Sequence, residues 1–138
     1  MKTASRLTLI LLALVMTFSF VACADVEKTG VWENATYASD KDFGNGEKTV
    51  TVKVVAEEQT LTFTLHTDKE TLGDALKEQD LILDDNGLIH TVNGIYADWE
   101  NGNWWWKFTK GGEMMLVGVY DATIADGEQY ELTRTNSF

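Results

Sequence analysis

Few side chains in this sequence could carry chemistry, and they are scattered. Catalysis needs a group that titrates near neutral pH with a partner in hydrogen-bond reach. Among 138 residues only His66 and His90 are histidines, and Cys23 is the single cysteine. Each histidine ends a run that reads as a strand, with no nucleophilic serine motif beside it, so both are read as ordinary surface residues. A carboxylate pair could serve glycoside hydrolysis, but most of the 22 acids in so acidic a chain are simply solvated. The reading is that the chain is not an enzyme. A zinc site on His66 and His90 would need further ligands that the sequence does not mark. Asp40-x-Asp42 with Gly44 and Gly46 has the residue types of a calcium loop without its full ligand spacing. No metal site and no cofactor are expected.

What the sequence does concentrate is aromatic surface. The stretch Trp99–Gly112 holds four of the five tryptophans. Read with period two, Trp104, Trp106 and Phe108 project to one side of a strand and Trp105, Lys107 and Thr109 to the other. Each aromatic buries on the order of 150–250 Å², so the face with three of them should be core, in the middle of the fold. Trp105 then lies on the opposite face. There it either meets aromatics of the upstream segment, Trp32 or Tyr37, or recognises a ligand or partner by stacking. The expected ligand-binding residues are Trp105 together with Met114, Met115 and Tyr120 of the following loop, since thioethers adapt to varied shapes.

The elements that must position these residues follow from periodicity. Val50, Val52 and Val54 alternate with Thr49, Thr51 and Lys53, and Leu61, Phe63 and Leu65 alternate with Thr60, Thr62 and Thr64, which predicts a hairpin of two half-buried strands. Leu72, Ala75 and Leu76 have helical spacing behind Thr71, which with Asp74 comes close to a capping box, while Thr67 with Glu70 offers an earlier start. Asp84-Asp-Asn-Gly87 reads as a turn. Asn93-Gly94 between Leu88–Val92 and Ile95–Ala97 is a strong hairpin signal. After the aromatic strand, Tyr130 and Leu132 mark a last strand. Two strands, a helix, then further strands is the order of an α+β fold with a β-grasp-like mixed sheet and one short helix packed on one face.

In this order Thr71-Leu-x-x-Ala-Leu, Val92-Asn-Gly, Trp106-x-Phe108, Gly112-Glu113, Gly118-Val119 and Asp126-Gly-Glu-x-Tyr-x-Leu132 resemble the bacterial domain similar to the C-terminal domain of transcobalamin. The likeness runs from about residue 49 to 135. Lys110-Gly-Gly112 departs from the family's usual Val-Asn-Gly ending of the aromatic strand. The resemblance implies a binding module for cobalamin, another corrinoid or another small molecule. In transcobalamin this domain closes over a ligand held chiefly by a larger helical domain, which this chain lacks. A lone copy would therefore bind weakly or complete a site with a separate protein; the alternative is a cell-surface protein-interaction or scaffold module without a small-molecule ligand.

The beginning of the chain sets location. Lys2 and Arg6 precede an apolar run from Leu7 to Ala22, which is short for a membrane span and has the form of an export signal. Its end, Phe20-Val21-Ala22-Cys23, resembles a bacterial lipobox, and that resemblance implies cleavage before Cys23 and acylation of its thiol. A lipid-anchored protein on the extracytoplasmic face of the cell membrane is expected. Loss of residues 1–22 removes two of the 11 cations and none of the 22 acids, so the net charge moves from −11 to −13. Such a surplus offers nothing to phosphate backbones and excludes nucleic acid as a partner. Residues 23–47 lack a sustained period and read as a flexible tether, with docking of its Trp32, Tyr37 and Phe43 on the domain left open, since a bare linker rarely needs aromatics. Residues 48–138 read as the domain.

Overall fold

The computed structural model describes residues 25–138; residues 1–22, read above as an export signal, and Cys23 lie outside the described residues. Alternation of valine and threonine forms the strand pair that everything else is laid upon. Strands β2 (Lys48–Ala56) and β3 (Gln59–Thr67) pair antiparallel from Lys48 opposite Thr67 to Ala56 opposite Gln59. Their inward residues Val50, Val52, Val54, Leu61, Phe63 and Leu65 are fully buried. A short strand β1 (Lys41–Phe43) lies parallel to β3 on its outer edge. On the far side of β2 runs β9 (Gln129–Thr135), parallel to it, and then β7 (Trp105–Lys110), antiparallel to β9. A two-residue β8 (Glu113–Met114) ends the sheet, giving the order β1-β3-β2-β9-β7-β8. The aromatic strand β7 is therefore next to an edge, and β2 and β9 hold the middle that was expected for it.

One face of this sheet is core. Helix α1 (Leu72–Glu78) lays Leu72, Ala75 and Leu76 on it, and the Thr71 hydroxyl accepts from Asp74 N–H at 3.3 Å as expected of the cap. Seven residues make too short a helix to persist alone in water, so packing holds it. A three-stranded sheet of β4 (Ile82–Asp85), β5 (Leu88–Val92) and β6 (Ile95–Tyr96) flanks it. Both hairpin turns there, Asn86-Gly87 and Asn93-Gly94, place two residues at positive φ, as the favoured two-residue turn requires. The mixed sheet with one short helix on one face is the α+β, β-grasp-like arrangement anticipated from the order of elements.

The structure differs from the sequence reading at residues 25–47, which were assigned to a tether. They are built into the domain. Gly30–Asn34 forms a 3-10 turn that places Trp32 at 0% exposure, with its Nε1 donating to Ala56 O at 2.9 Å. Tyr37, Phe43 and Phe63 meet edge to face, with centroids 5.3–6.0 Å apart. Asn93 is buried and clasps this segment: its Nδ2 donates to Tyr37 O, its Oδ1 accepts from Tyr37 N–H, and its carbonyl accepts from Thr36 N–H, each at 2.9 Å. Gly94 permits the approach, because a Cβ there would stand 2.4 Å from Asn34 O. The domain thus starts by Val26 instead of residue 48. Asp40, weighed above as part of a calcium loop, accepts from Thr62 N–H at 2.8 Å and so helps dock β1.

Candidate functional site

Period two sorts β7 as expected from Trp105 to Phe108, whereas Thr109, expected on the open face, is buried and Trp104, expected in the core, is half-buried before the strand. Trp106 and Phe108 are buried on the core face, Trp106 at 7% exposure, while Trp105 and Lys107 on the other face are only half-buried. Trp106 Nε1 donates to His90 O at 3.3 Å and so ties β7 to β5. Trp104, just before the strand, lies under Arg134, whose guanidinium carbon is 4.0 Å from the ring centroid. Arg134 is held in turn by donating its Nε–H to Tyr96 O at 3.0 Å.

These tryptophans converge with others on a groove of about 330 Å³ at the start of β7, lined by Leu88, Ile89, His90, Ala97, Trp99, Trp104, Trp105, Trp106 and Phe138. That volume sits at the lower end of the range for small-molecule sites, and an apolar lining with few polar groups is their usual composition. The rim is exposed: Leu88 is 76%, Trp99 52% and Phe138 94% accessible. Phe138 stacks on Trp105 with centroids 5.7 Å apart and planes 15° from parallel, and it meets Trp99 edge to face at 6.0 Å. Trp105 Nε1 is shielded from solvent and has no acceptor. The loop that carries Trp99 is fixed by Asp98, whose carboxylate accepts from Asn101 N–H at 3.1 Å and from Asn101 Nδ2 at 2.9 Å. The Asn101 side-chain bond is the main reason that the Asp98 carboxyl titrates below its ordinary value.

Of the expected ligand-binding residues, the structure places only Trp105 in this groove. Met114 pairs with Thr109 at the other end of β7, four residues or about 13 Å along the strand. Met115 packs partly against the core, and Met114 is exposed on β8. Tyr120 lies on the core side against α1, where its ring fills the space that a Cβ at Gly73 would take. Its hydroxyl donates to Asp84 Oδ1 at 2.8 Å, and burial, then that bond, push the phenol up to about 12. Asp84 in turn is held below the usual carboxylate range, first by Gly87 N–H and then by Tyr120. Tyr120 is thus a structural latch between α1 and the β4–β5 turn.

The groove residues that the sequence reading did not single out are Leu88, Ile89, Trp99 and Phe138. Leu88 follows a tight turn and Phe138 follows Thr135-Asn-Ser, so each was an apolar residue without a periodic partner, and that isolation was the available signal. Trp105 is covered by Phe138, not by Trp32 or Tyr37. His66 and His90 have separate partners: His66 Nδ1 meets Thr49 Oγ1 at 3.0 Å, and His90 Nδ1 meets Thr91 Oγ1 at 2.8 Å. Among the described residues, no three His, Cys, Asp or Glu side chains form a group that could hold a metal ion.

No family model matches the chain, and no curated protein does. Solved structures do, and two of them are informative. Haptocorrin in complex with Cbi is 16% identical with a TM-score of 0.50, over 70% of this chain and 27% of haptocorrin, a likeness of fold alone. A candidate metal binding protein from Ruminococcus gnavus ATCC 29149 is 31% identical with a TM-score of 0.63, over 67% of this chain and 100% of that one. With the whole of that protein matched at this identity, the chain belongs to the same family as the Ruminococcus gnavus protein.

Proposed function

We propose that this chain is a binding module without catalytic activity, anchored by acylated Cys23 on the extracytoplasmic face of the cell membrane, whose ligand site is the aromatic groove at Trp105. The groove itself carries the reading: a concave apolar surface with an exposed aromatic rim costs solvation in the free protein and is relieved by a ligand. Its size suits a small ring system, or the edge of something larger. A corrinoid is the larger candidate, since haptocorrin of like fold was solved with cobinamide and matches this chain over only 27% of its own length. A corrinoid held by one edge would bind weakly, or would need a second protein to complete the site. A protein-interaction role is the second reading, favoured by the exposed Met114, Leu116 and Val117 at the opposite end of β7.

Calorimetric titration of the full chain with cobinamide tests the first reading. Saturable heat that is lost in Trp105→Ala supports it. No heat at millimolar cobinamide removes the corrinoid, and heat unchanged in Trp105→Ala removes the groove.

A further inference from the structure

The contact between Phe138 and Trp105 has an unusual balance. The rings are nearly parallel at 5.7 Å, an ordinary stacked pair, yet Phe138 is 94% exposed. Its ring rests on Trp105 and on the edge of Trp99, and little else encloses it. Such a ring can leave at small cost. At the edge of the same indole, Trp105 Nε1–H is hidden from water and unpaired. A buried donor without an acceptor is a standing penalty that the right partner would remove.

These two features ask for different things from a ligand. The indole face takes a flat ring. The indole N–H lies in the ring plane, so a stacked ring cannot reach it, and an acceptor must be carried on a short arm that passes the ring's edge. We propose, building on the reading of the groove as the ligand site, that Phe138 is a displaceable cap occupying the place of a ligand ring, and that the groove selects flat aromatic ligands bearing a carbonyl arm. The ligand ring replaces Phe138 on the face of Trp105, and its carbonyl accepts from Trp105 Nε1–H. Two neighbouring polar atoms are already satisfied, Trp106 Nε1 by His90 O and His90 Nδ1 by Thr91 Oγ1, whereas Trp105 Nε1 is buried without a partner.

The test uses the full chain labelled with 15N at tryptophan and three probes: naphthalene-1-acetamide, its saturated decahydronaphthalene counterpart, and 1-ethylnaphthalene. The Trp105 indole signal is assigned by its loss in Trp105→Phe. The proposal expects naphthalene-1-acetamide to move that signal downfield, and 1-ethylnaphthalene to bind without doing so. It expects the saturated probe to bind about threefold to tenfold more weakly, the share that ring stacking adds to burial. Phe138→Ala should raise affinity for naphthalene-1-acetamide about threefold, because a competitor is gone. Equal binding of flat and saturated probes, an unmoved Trp105 signal, or lower affinity in Phe138→Ala would overturn it. If cobinamide shifts the indole signals of Trp99 and Trp106 while the aromatic probes do not bind, this inference falls and the groove stands. If neither cobinamide nor any probe shifts a groove signal, both fall.

Discussion

Trp32→Ala measures whether residues 25–47 belong to the domain. In the structure the indole is wholly buried and its Nε1 donates to Ala56 O at 2.9 Å, where β2 turns into β3. Truncating a buried large aromatic costs roughly 3–5 kcal/mol, which includes the cavity left behind. Against a total of about 5–15 kcal/mol for a domain, the variant would be close to marginal. With a urea slope of about 2 kcal/mol/M, the unfolding midpoint should fall by roughly 2 M. The assay is urea unfolding followed by circular dichroism, which does not depend on the tryptophan removed. Trp99→Ala is the control: that ring is half-exposed on the groove rim, and its loss should change stability by about 0.5 kcal/mol or less. A Trp32→Ala midpoint equivalent to less than about 1 kcal/mol would refute the docking and return the segment to a tether.

Other expectations follow from the same geometry. Trp106→Ala should also cost roughly 3–5 kcal/mol in urea unfolding, because the ring is buried on the core face; a loss under about 1 kcal/mol would mean the faces of β7 are reversed. Trp105→Ala should leave the midpoint nearly unchanged while weakening ligand binding by ~2 kcal/mol or more in calorimetry, as a hot spot does. Asp84 is held below its ordinary value in the fold, so it adds stability above the unfolded carboxylate range near pH 4, and this is lost as pH falls through the lowered value. Tyr120→Phe removes one cause of that lowering, so the acid limb of the stability profile should become shallower; an unchanged limb would show that the Gly87 N–H alone sets it. Cys23→Ala should move the protein from the membrane fraction to the soluble extracytoplasmic fraction, and full retention in the membrane would indicate an uncleaved span instead.

The parts of the fold written in local pattern were legible. The β2–β3 hairpin came from strict alternation, the start of α1 from Thr71 and Asp74, and the β5–β6 turn from Asn93-Gly94. The docking of residues 25–47 was not, because no periodic face holds it. One tryptophan, the clasp around Asn93 and an aromatic cluster do so, and all three depend on residues far along the chain. The place of β7 beside an edge was hidden for the same reason: strand order depends on long-range pairing, while aromatic content reports only burial. In the groove, Trp105 was found because it breaks the pattern of its own strand. Leu88 and Phe138 come from β5 and from beyond β9, and nothing local joins them to it. Met114 and Tyr120 were drawn in by nearness in sequence, whereas the tight Gly111-Gly112 turn carries the chain to the other end of β7.

The most direct test of the groove as the ligand site is the map of the five indole N–H signals in the 15N-tryptophan-labelled full chain as cobinamide is added. The signals of Trp99 and Trp105 should shift together along one binding curve while that of Trp32, sealed in the core, stays fixed. Shifts absent from Trp99 and Trp105 at saturating cobinamide, or spread equally to Trp32, would contradict a ligand site in this groove for a corrinoid.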